Sequence, residues 1–315
     1  MSEKRNHNKQ SMQKEDLEKC PATTAPGSEP ASEALKPGQA KLREWLADTQ
    51  KVIVCPGIYD GLTARVALAQ GFKCLHLRSA AVRFARSGLP DSGESSLEFV
   101  MDLIQTVQKI DRDVPLIGEA DESLDVEAVK VHLARYHHAG VAAMQLEDSI
   151  SGQCSKKYRK GNAIDEDTFL ERLQAAADER LRISSNIVII ARTNILLSCT
   201  CQVCWERALT RLERAIRKGA DVVYMAGRMP LQDVEYLARQ AFKGVPLMST
   251  PQQAAKHKVK SLGVKIISCP ELFTGAIHDC AAHLVQGFGK GSPVPEIFHL
   301  DDPTKLGGLR ALCGL

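Results

Sequence analysis

The stretch NIVIIARTNILLSCTCQVCWERALTRLERAIRKGADVVYM, residues 186–225, decides the fold of this chain. It begins with a short run of β-branched apolar residues and ends with a second one. Between them the apolar residues recur at the spacing of one helix face. The helical part stops at Gly219, a residue type that commonly ends a helix. The stretch therefore predicts two parallel strands joined by a crossover helix.

The same alternation continues along most of the chain. Segments of helical spacing separate eight short apolar runs, at residues 51–55, 73–77, 114–118, 142–146, 186–191, 221–225, 245–248 and 264–268. Eight such units in about 250 residues predict a closed (β/α)8 TIM barrel rather than an open doubly wound sheet. No GxGxxG segment follows the first run, which disfavours a dinucleotide-binding fold.

The two ends of the chain differ from this middle part. Residues 1–36 carry six basic and six acidic side chains among many Ser, Thr and Pro residues, and such a segment buries too little apolar surface to fold alone. Residues after about 288 are rich in Pro and Gly. We predict a disordered tail over residues 1–38, a single-domain barrel over 39–287 and an irregular C-terminal extension over 288–315.

Composition narrows the class of protein. A hydrophobic content of 44% and a charged content of 25% are typical of a globular domain. The net charge of +3 is small and dispersed, so we expect no nucleic-acid partner. No apolar run approaches the length of a membrane span, so we expect no membrane partner either. Ten cysteines without a secretory signal indicate reduced thiols and a cytoplasmic protein.

Charged residues cluster where strands of the predicted barrel end. In TIM barrels the active site lies at the C-terminal ends of the strands. Clustered carboxylates there suit a divalent cation such as Mg²⁺, or Mn²⁺, and an arginine at a strand end suits a substrate carboxylate. The candidates for these two roles are the acids Asp91, Glu119, Asp121 and Glu147, and Arg192. Asp148 is expected instead to be a solvated loop residue or a helix N-cap.

The segment CTCQVC, residues 199–204, admits a zinc-site interpretation through Cys199, Cys201 and Cys204. No fourth ligand with suitable spacing follows, and Cys204 lies where a helix is predicted to begin. We therefore expect these three residues to be plain thiols.

Taken together, the motifs resemble the isocitrate lyase/phosphoenolpyruvate mutase superfamily over about residues 50–285. The resemblance is carried by PGIYDGLTAR (56–65), LRSAAV (77–82), GLPDSGE (88–94) and IIARTN (189–194). It implies an enzyme that uses Mg²⁺ and forms or consumes the enolate of a small 2-oxo acid. It also implies a homo-oligomer, commonly a dimer of dimers that exchange their last helix.

The resemblance further implies roles for single residues. Four acids fall on the family's metal site, namely Asp91, Glu119, Asp121 and Glu147. Tyr59, Ser79, Ala80 and Arg192 fall on positions that contact the substrate, and Glu147 and Arg192 are also expected to take part in catalysis.

The chain departs from the family pattern in four places: the end of the third strand, Ala80 in place of a glycine after Ser79, Ala226 in place of a glutamate after the sixth strand, and the catalytic loop. Its third strand ends in Glu119-Ala-Asp121, where the family usually has Asp-x-Asp. The lyase loop Lys-x-Cys-Gly-His, in which the cysteine is thought to be a general acid, reads Gln153-Cys154-Ser155-Lys156-Lys157 here. Cys154 and Ser155 are the catalytic candidates in this loop, which we expect to form a lid over residues 149–162.

Three functions remain open on the sequence alone. The leading one is a Mg²⁺-dependent lyase that cleaves a C–C bond in a small 2-hydroxy or 2-oxo di- or tricarboxylate. The altered loop leaves room for an oxaloacetate decarboxylase or hydrolase, or for a phosphonomutase-like enzyme. The third is a non-catalytic barrel that acts as a binding protein.

Overall fold

A computed structural model describes residues 36–88, 97–120, 125–149, 163–227, 229–250 and 259–290. Eight parallel strands within them close into a barrel, each paired with the next and the last with the first. This confirms the predicted (β/α)8 fold. The strands are β1 (Ile53–Ile58), β2 (Leu75–Leu77), β3 (Leu116–Glu119), β4 (Ala143–Glu147), β5 (Val188–Thr193), β6 (Val222–Met225), β7 (Leu247–Ser249) and β8 (Ile266–Cys269).

Helices surround the barrel and alternate with its strands. They are α1 (Pro37–Ala47), α2 (Gly61–Ala69), α3 (Ser79–Ser87), α4 (Leu97–Ile110), α5 (Val126–His138), α6 (Glu166–Arg182), α7 (Ile195–Ser198), α8 (Gln202–Arg217), α9 (Leu231–Tyr236), α10 (Val259–Leu262) and α11 (Leu272–Gly289). Three of them, α1, α3 and α7, are not among the helical segments that the sequence predicts. A π-helical turn, Leu237–Ala241, continues α9. Three of the helices begin at an aspartate whose carboxylate accepts an N–H of the first turn, at Asp60, Asp125 and Asp165.

The first strand is longer than the sequence suggests, because Pro56 and Gly57 belong to it. Pro56 pairs with Cys269, and Gly57 pairs with His76. A Cβ atom on Gly57 would lie 2.1 Å from the carbonyl oxygen of Pro270. Only glycine therefore fits where β1 meets the segment that leads into α11.

The barrel interior changes from apolar to polar along its axis. A buried apolar cluster that includes Ile117, Val188 and Ile190 packs against Leu42 and Trp45 of α1, so this helix covers the N-terminal end of the strands. Towards the C-terminal ends, buried polar side chains replace the aliphatic ones: His76, Glu119, Gln145 and Ser268. Such residues are rarely buried without a functional or hydrogen-bonding reason. This end is where a site is expected.

Among the helices described, none combines the length and apolar composition that a membrane crossing would need.

Candidate active site

Three of the predicted site residues meet at the C-terminal end of the barrel. Glu119, Glu147 and Arg192 are at or next to the last residues of β3, β4 and β5, and Glu147 is directly beside Arg192 in the strand register. The Arg192 guanidinium lies 3.0 Å from a Glu147 carboxylate oxygen and 3.8 Å from one of Glu119. A further hydrogen bond of 2.9 Å, from Nε to the Asn194 side chain, fixes the plane of the guanidinium.

A second guanidinium, which the sequence interpretation did not include, completes this cluster. Arg78 follows β2 and donates from Nη1 to Glu119 at 3.1 Å. Its other nitrogens donate to the carboxylate of Glu271, at 2.7 and 3.0 Å. Glu119 is thus placed between the guanidinium groups of Arg78 and Arg192.

The position of Glu119 is fixed by hydrogen bonds to both its carboxylate and its backbone. The N–H of Ser79 donates to the carboxylate at 3.1 Å, and the Ser79 hydroxyl donates to the Glu119 carbonyl at 3.2 Å. The Tyr136 hydroxyl donates to the same carbonyl at 2.8 Å. Ser79, predicted to contact substrate, therefore anchors the acid at the centre of the cluster.

The surrounding charges keep Glu119 ionised despite its burial. Burial by itself would raise the pKa of this carboxyl, but Arg78, His76 and Arg192 together lower it to about 2. Burial lowers the pKa of His76 to about 4, so its imidazole is neutral at physiological pH. The two arginines are therefore what balances the Glu119 charge.

Beneath the charged cluster lies a layer of buried polar atoms. His76 Nδ1 is 2.6 Å from the Ser268 hydroxyl, while His76 Nε2 has no hydrogen-bond partner among the described residues. Both side-chain polar atoms of Gln145, which is paired with Glu119 in the register, likewise lack a partner there. Buried polar atoms of this kind are normally satisfied by water or a ligand. The barrel mouth thus offers polar groups to a polar molecule.

Asp148 is not the solvated residue or helix cap that the sequence suggested. It is fully buried, and its carboxylate accepts hydrogen bonds from the Thr193 hydroxyl at 2.6 Å and the Asn194 N–H at 2.8 Å. Arg211 of α8, also buried, donates to it at 2.9 Å. The expectation was wrong because a distant arginine supplies the countercharge, and local sequence does not reveal that pairing.

The remaining predicted residues fall into two groups. Tyr59 packs against the barrel core after β1, and Ala80 is half-buried in the first turn of α3 beside Ser79. The others, Asp91, Asp121, Cys154 and Ser155, lie outside the described residues, as does most of the predicted lid.

Two residues of the predicted metal site, Glu119 and Glu147, are described, and their present contacts do not fit a divalent cation. Glu119 and Glu147 each bind a guanidinium, and a cation beside them would be close to both arginines. The magnesium site therefore stays a prediction that depends on Asp91 and Asp121.

Comparison with known proteins identifies the family of the chain. The model of the family described as phosphoenolpyruvate phosphomutase matches residues 42–287, which include every strand of the barrel. The chain belongs to this family. It is accordingly a member of the phosphoenolpyruvate mutase/isocitrate lyase superfamily, as the sequence motifs predicted.

Its curated relatives include lyases, mutases and decarboxylases. The 2,3-dimethylmalate lyase of Eubacterium barkeri is 28% identical over 188 residues, which cover 59% of this chain and 62% of that protein. The match thus spans less than two thirds of the relative. The 2-methylisocitrate lyase of Aeropyrum pernix is 26% identical over 239 residues, covering 73% of this chain and 72% of the relative.

Solved structures of the superfamily superpose over most of the chain. A crystal structure of 2,3-dimethylmalate lyase has a TM-score of 0.75 at 28% identity, covering 88% of this chain and 93% of that one. A structure of oxaloacetate acetylhydrolase in complex with its product oxalate has a TM-score of 0.76 at 27% identity, covering 89% and 95%.

One sequence signal could have identified Arg78 in advance. The motif LRSAAV places a charged residue directly after a buried strand, at the same end of the barrel as Arg192. A charge at that position needs a partner, and the acid at the end of the neighbouring strand β3 provides it. Gln145 gave a weaker signal, since it is a polar residue within an otherwise apolar strand.

Proposed function

We propose that this chain is a carbon–carbon lyase that cleaves a small 2-hydroxy or 2-oxo di- or tricarboxylate through an enolate. The observation that carries the proposal is the pair of guanidinium groups, Arg78 and Arg192, on either side of Glu119 at the barrel mouth. Fixed guanidinium groups above unsatisfied buried polar atoms suit a small, highly oxygenated anion. Membership of the superfamily supports the same class of substrate.

Each charged residue has a distinct part in such a reaction. Arg192, oriented by Glu147 and Asn194, is placed to bind a substrate carboxylate with two parallel hydrogen bonds. In a 2-hydroxy substrate the hydroxyl passes its proton to a carboxylate at the barrel mouth, for which Glu147 is the candidate, and becomes a carbonyl as the C–C bond breaks. The electron pair of that bond becomes the enolate, and negative charge accumulates on oxygen. Positive groups held in place before the reaction stabilise that charge without reorganising. Glu271 and Glu147 hold Arg78 and Arg192 in this way, and in the proposal the substrate joins Glu119 as a partner of the two guanidinium groups.

The electron pair of the broken bond must finally be protonated at carbon. We assign this proton transfer to the loop that contains Cys154 and Ser155. The part of the chain that the structure describes brings Ser149 and Ala163, on either side of this loop, into an antiparallel bridge. The two ends of the loop are thus held together beside Asp148, next to Glu147.

Oxaloacetate hydrolysis or decarboxylation is the second candidate. It is favoured by the superposition on oxaloacetate acetylhydrolase, which matches this chain as well as dimethylmalate lyase does. Both reactions begin with a 2-oxo dicarboxylate, so the same arginines would bind the substrate. A phosphonomutase and a non-catalytic binding protein are the other outcomes that an experiment must separate.

The test is a panel of substrates incubated with the full chain, with and without Mg²⁺, and followed by NMR. We would use 2,3-dimethylmalate, 2-methylisocitrate, oxaloacetate and phosphoenolpyruvate. Cleavage of either of the first two supports the lyase, and conversion of oxaloacetate alone supports the second candidate. Ligand-induced thermal stabilisation without turnover of any compound would point to a binding protein and contradict the proposal.

A further inference from the structure

Three cysteines come together at the start of α8, on the outer part of the barrel. The sulfur atoms of Cys199, Cys201 and Cys204 all lie within 4.8 Å of one another, with 3.2 Å between the first two. Within the described ranges, no other group of three or more His, Cys, Asp or Glu residues brings its ligand atoms this close. The sequence interpretation considered a zinc site at these residues but favoured plain thiols.

The turn between α7 and α8 produces the arrangement. Cys199 leaves α7 in an extended conformation, Cys201 is the N-cap of α8, and Cys204 lies in the first turn of that helix. The first turn therefore folds Cys204 back towards Cys201.

We propose that Cys199, Cys201 and Cys204 bind a thiophilic divalent cation, Zn²⁺. Sulfur ligands favour Zn²⁺ over Mg²⁺ or Ca²⁺. A tetrahedral Zn²⁺ with Zn–S bonds of about 2.3 Å separates its sulfur ligands by roughly 3.8 Å. This value lies between the 3.2 Å that separates the sulfur atoms of Cys199 and Cys201 and the 4.8 Å within which all three sulfur atoms lie. Only small side-chain rotations are needed to form the site.

The part of the chain that the structure describes supplies three ligands to this site, which leaves one position of the cation for a further ligand. Closed structural sites use four ligands, whereas an open position accepts water or an exogenous ligand. Cys201 is exposed, which gives the ion a path from solvent. The site follows β5, so it belongs to the same end of the barrel as Arg192, yet it shares no residue with the proposed lyase site. The two proposals therefore stand independently.

Cobalt provides a direct test, because Co²⁺ bound by thiolates shows a sulfur-to-metal charge-transfer absorption. The full-length chain would be kept reduced, stripped with a chelator and titrated with Co²⁺, then with Zn²⁺. We expect one equivalent of Co²⁺ to produce the absorption and Zn²⁺ to abolish it. Changing even an outer-shell partner of a metal typically weakens binding roughly 10–100-fold, so Cys201→Ser and Cys204→Ser should weaken Zn²⁺ binding at least that much.

A matched control separates this site from the chain's other thiols. Cys280 lies on α11 and does not belong to the group of three thiols, so Cys280→Ser should bind Co²⁺ like the unmodified chain. Absence of the absorption in the reduced protein, or an unchanged titration in Cys201→Ser and Cys204→Ser, would overturn the proposal. Arg192→Lys should leave the titration intact, so failure of the lyase proposal is distinguishable from failure of this one.

Discussion

At the scale of single residues, Arg192 is the side chain whose replacement tests substrate binding most directly. Arg192→Lys keeps the charge but loses the planar pair of donors and the bond from Nε to Asn194. Binding of oxalate, measured by calorimetry, should weaken by about 1–3 kcal/mol. Arg207→Lys, an exposed position on α8, is the matched control and should bind like wild type. Equal affinities in all three proteins would refute the assignment of Arg192 to the substrate carboxylate.

Arg78 and Asp121 together decide the magnesium prediction. If Asp121 is a ligand, titration of Mg²⁺ into Asp121→Ala should show loss of the binding isotherm that wild type gives. Arg78→Gln should strengthen Mg²⁺ binding. It removes a positive charge 3.1 Å from a Glu119 oxygen and so frees that carboxylate for a cation. Identical isotherms for wild type and Asp121→Ala would exclude the metal site.

The residues of the site were predictable to different degrees, for physical reasons. Glu119, Glu147 and Arg192 could be found because each ends or closely follows an apolar run, and strand ends of a barrel meet at one face. Their pairing could not be found, because it depends on which side chains face each other across neighbouring strands. Asp148 shows the same limit, since its partner Arg211 lies 63 positions along the chain.

At the scale of elements, the buried ion pair of Asp148 and Arg211 joins the end of β4 to α8. Their side chains are 0% and 4% exposed, so removal of the carboxylate leaves a buried charge without its partner. Asp148→Ala should lower the free energy of unfolding by about 3–5 kcal/mol. Urea denaturation measures the change. Asp178→Ala, at an exposed site on α6, is the control, and its free energy of unfolding should stay within about 0.5 kcal/mol of wild type. A similarly small change for Asp148→Ala would contradict the stabilising role of the ion pair.

The next prediction at this scale concerns the loop between Ser149 and Ala163. Relative to the family pattern its cysteine is shifted by one position, and such a shift turns a side chain away from its former target. We therefore expect Cys154→Ala to keep most of its turnover once a substrate is known, with Ser155 orienting a water. A loss of about two or more orders of magnitude in Cys154→Ala, the size of a missing general acid, together with an active Ser155→Ala, would show that the cysteine is the acid after all.

Elements were easier to predict than sites because their signals are local. Short apolar runs located all eight strands, and Gly219 marked the end of a helix. The length of β1 was missed because Pro56 and Gly57 are poor strand formers on propensity alone. Their place in the barrel is fixed by pairing with β8 and β2, which is tertiary information.

At the scale of the whole molecule, packing within a single chain does not explain the exposed apolar surface of α11. This helix of 18 residues has no buried residue, although its composition is largely apolar. Its exposed apolar side chains include Leu272, Ile277, Val285 and Phe288. Exposed apolar side chains on a helix of this kind indicate a surface that another protein chain covers. The resemblance to the superfamily implies that this partner is a second copy of the same chain.

We therefore predict that the protein is a homo-oligomer held together through α11. The double variant Val285→Glu/Phe288→Glu places two charges on side chains that are 71% and 66% exposed in the single chain, so it should spare the barrel but disrupt a buried interface. Sedimentation velocity should show a dimer or tetramer for wild type and mainly monomer for the variant. Leu181→Glu, at a side chain that is 74% exposed on α6, is the matched control and should assemble like wild type. If wild type sediments as a monomer across a range of concentrations, or if the α11 variant assembles like the control, the apolar face of α11 does not join copies of this chain.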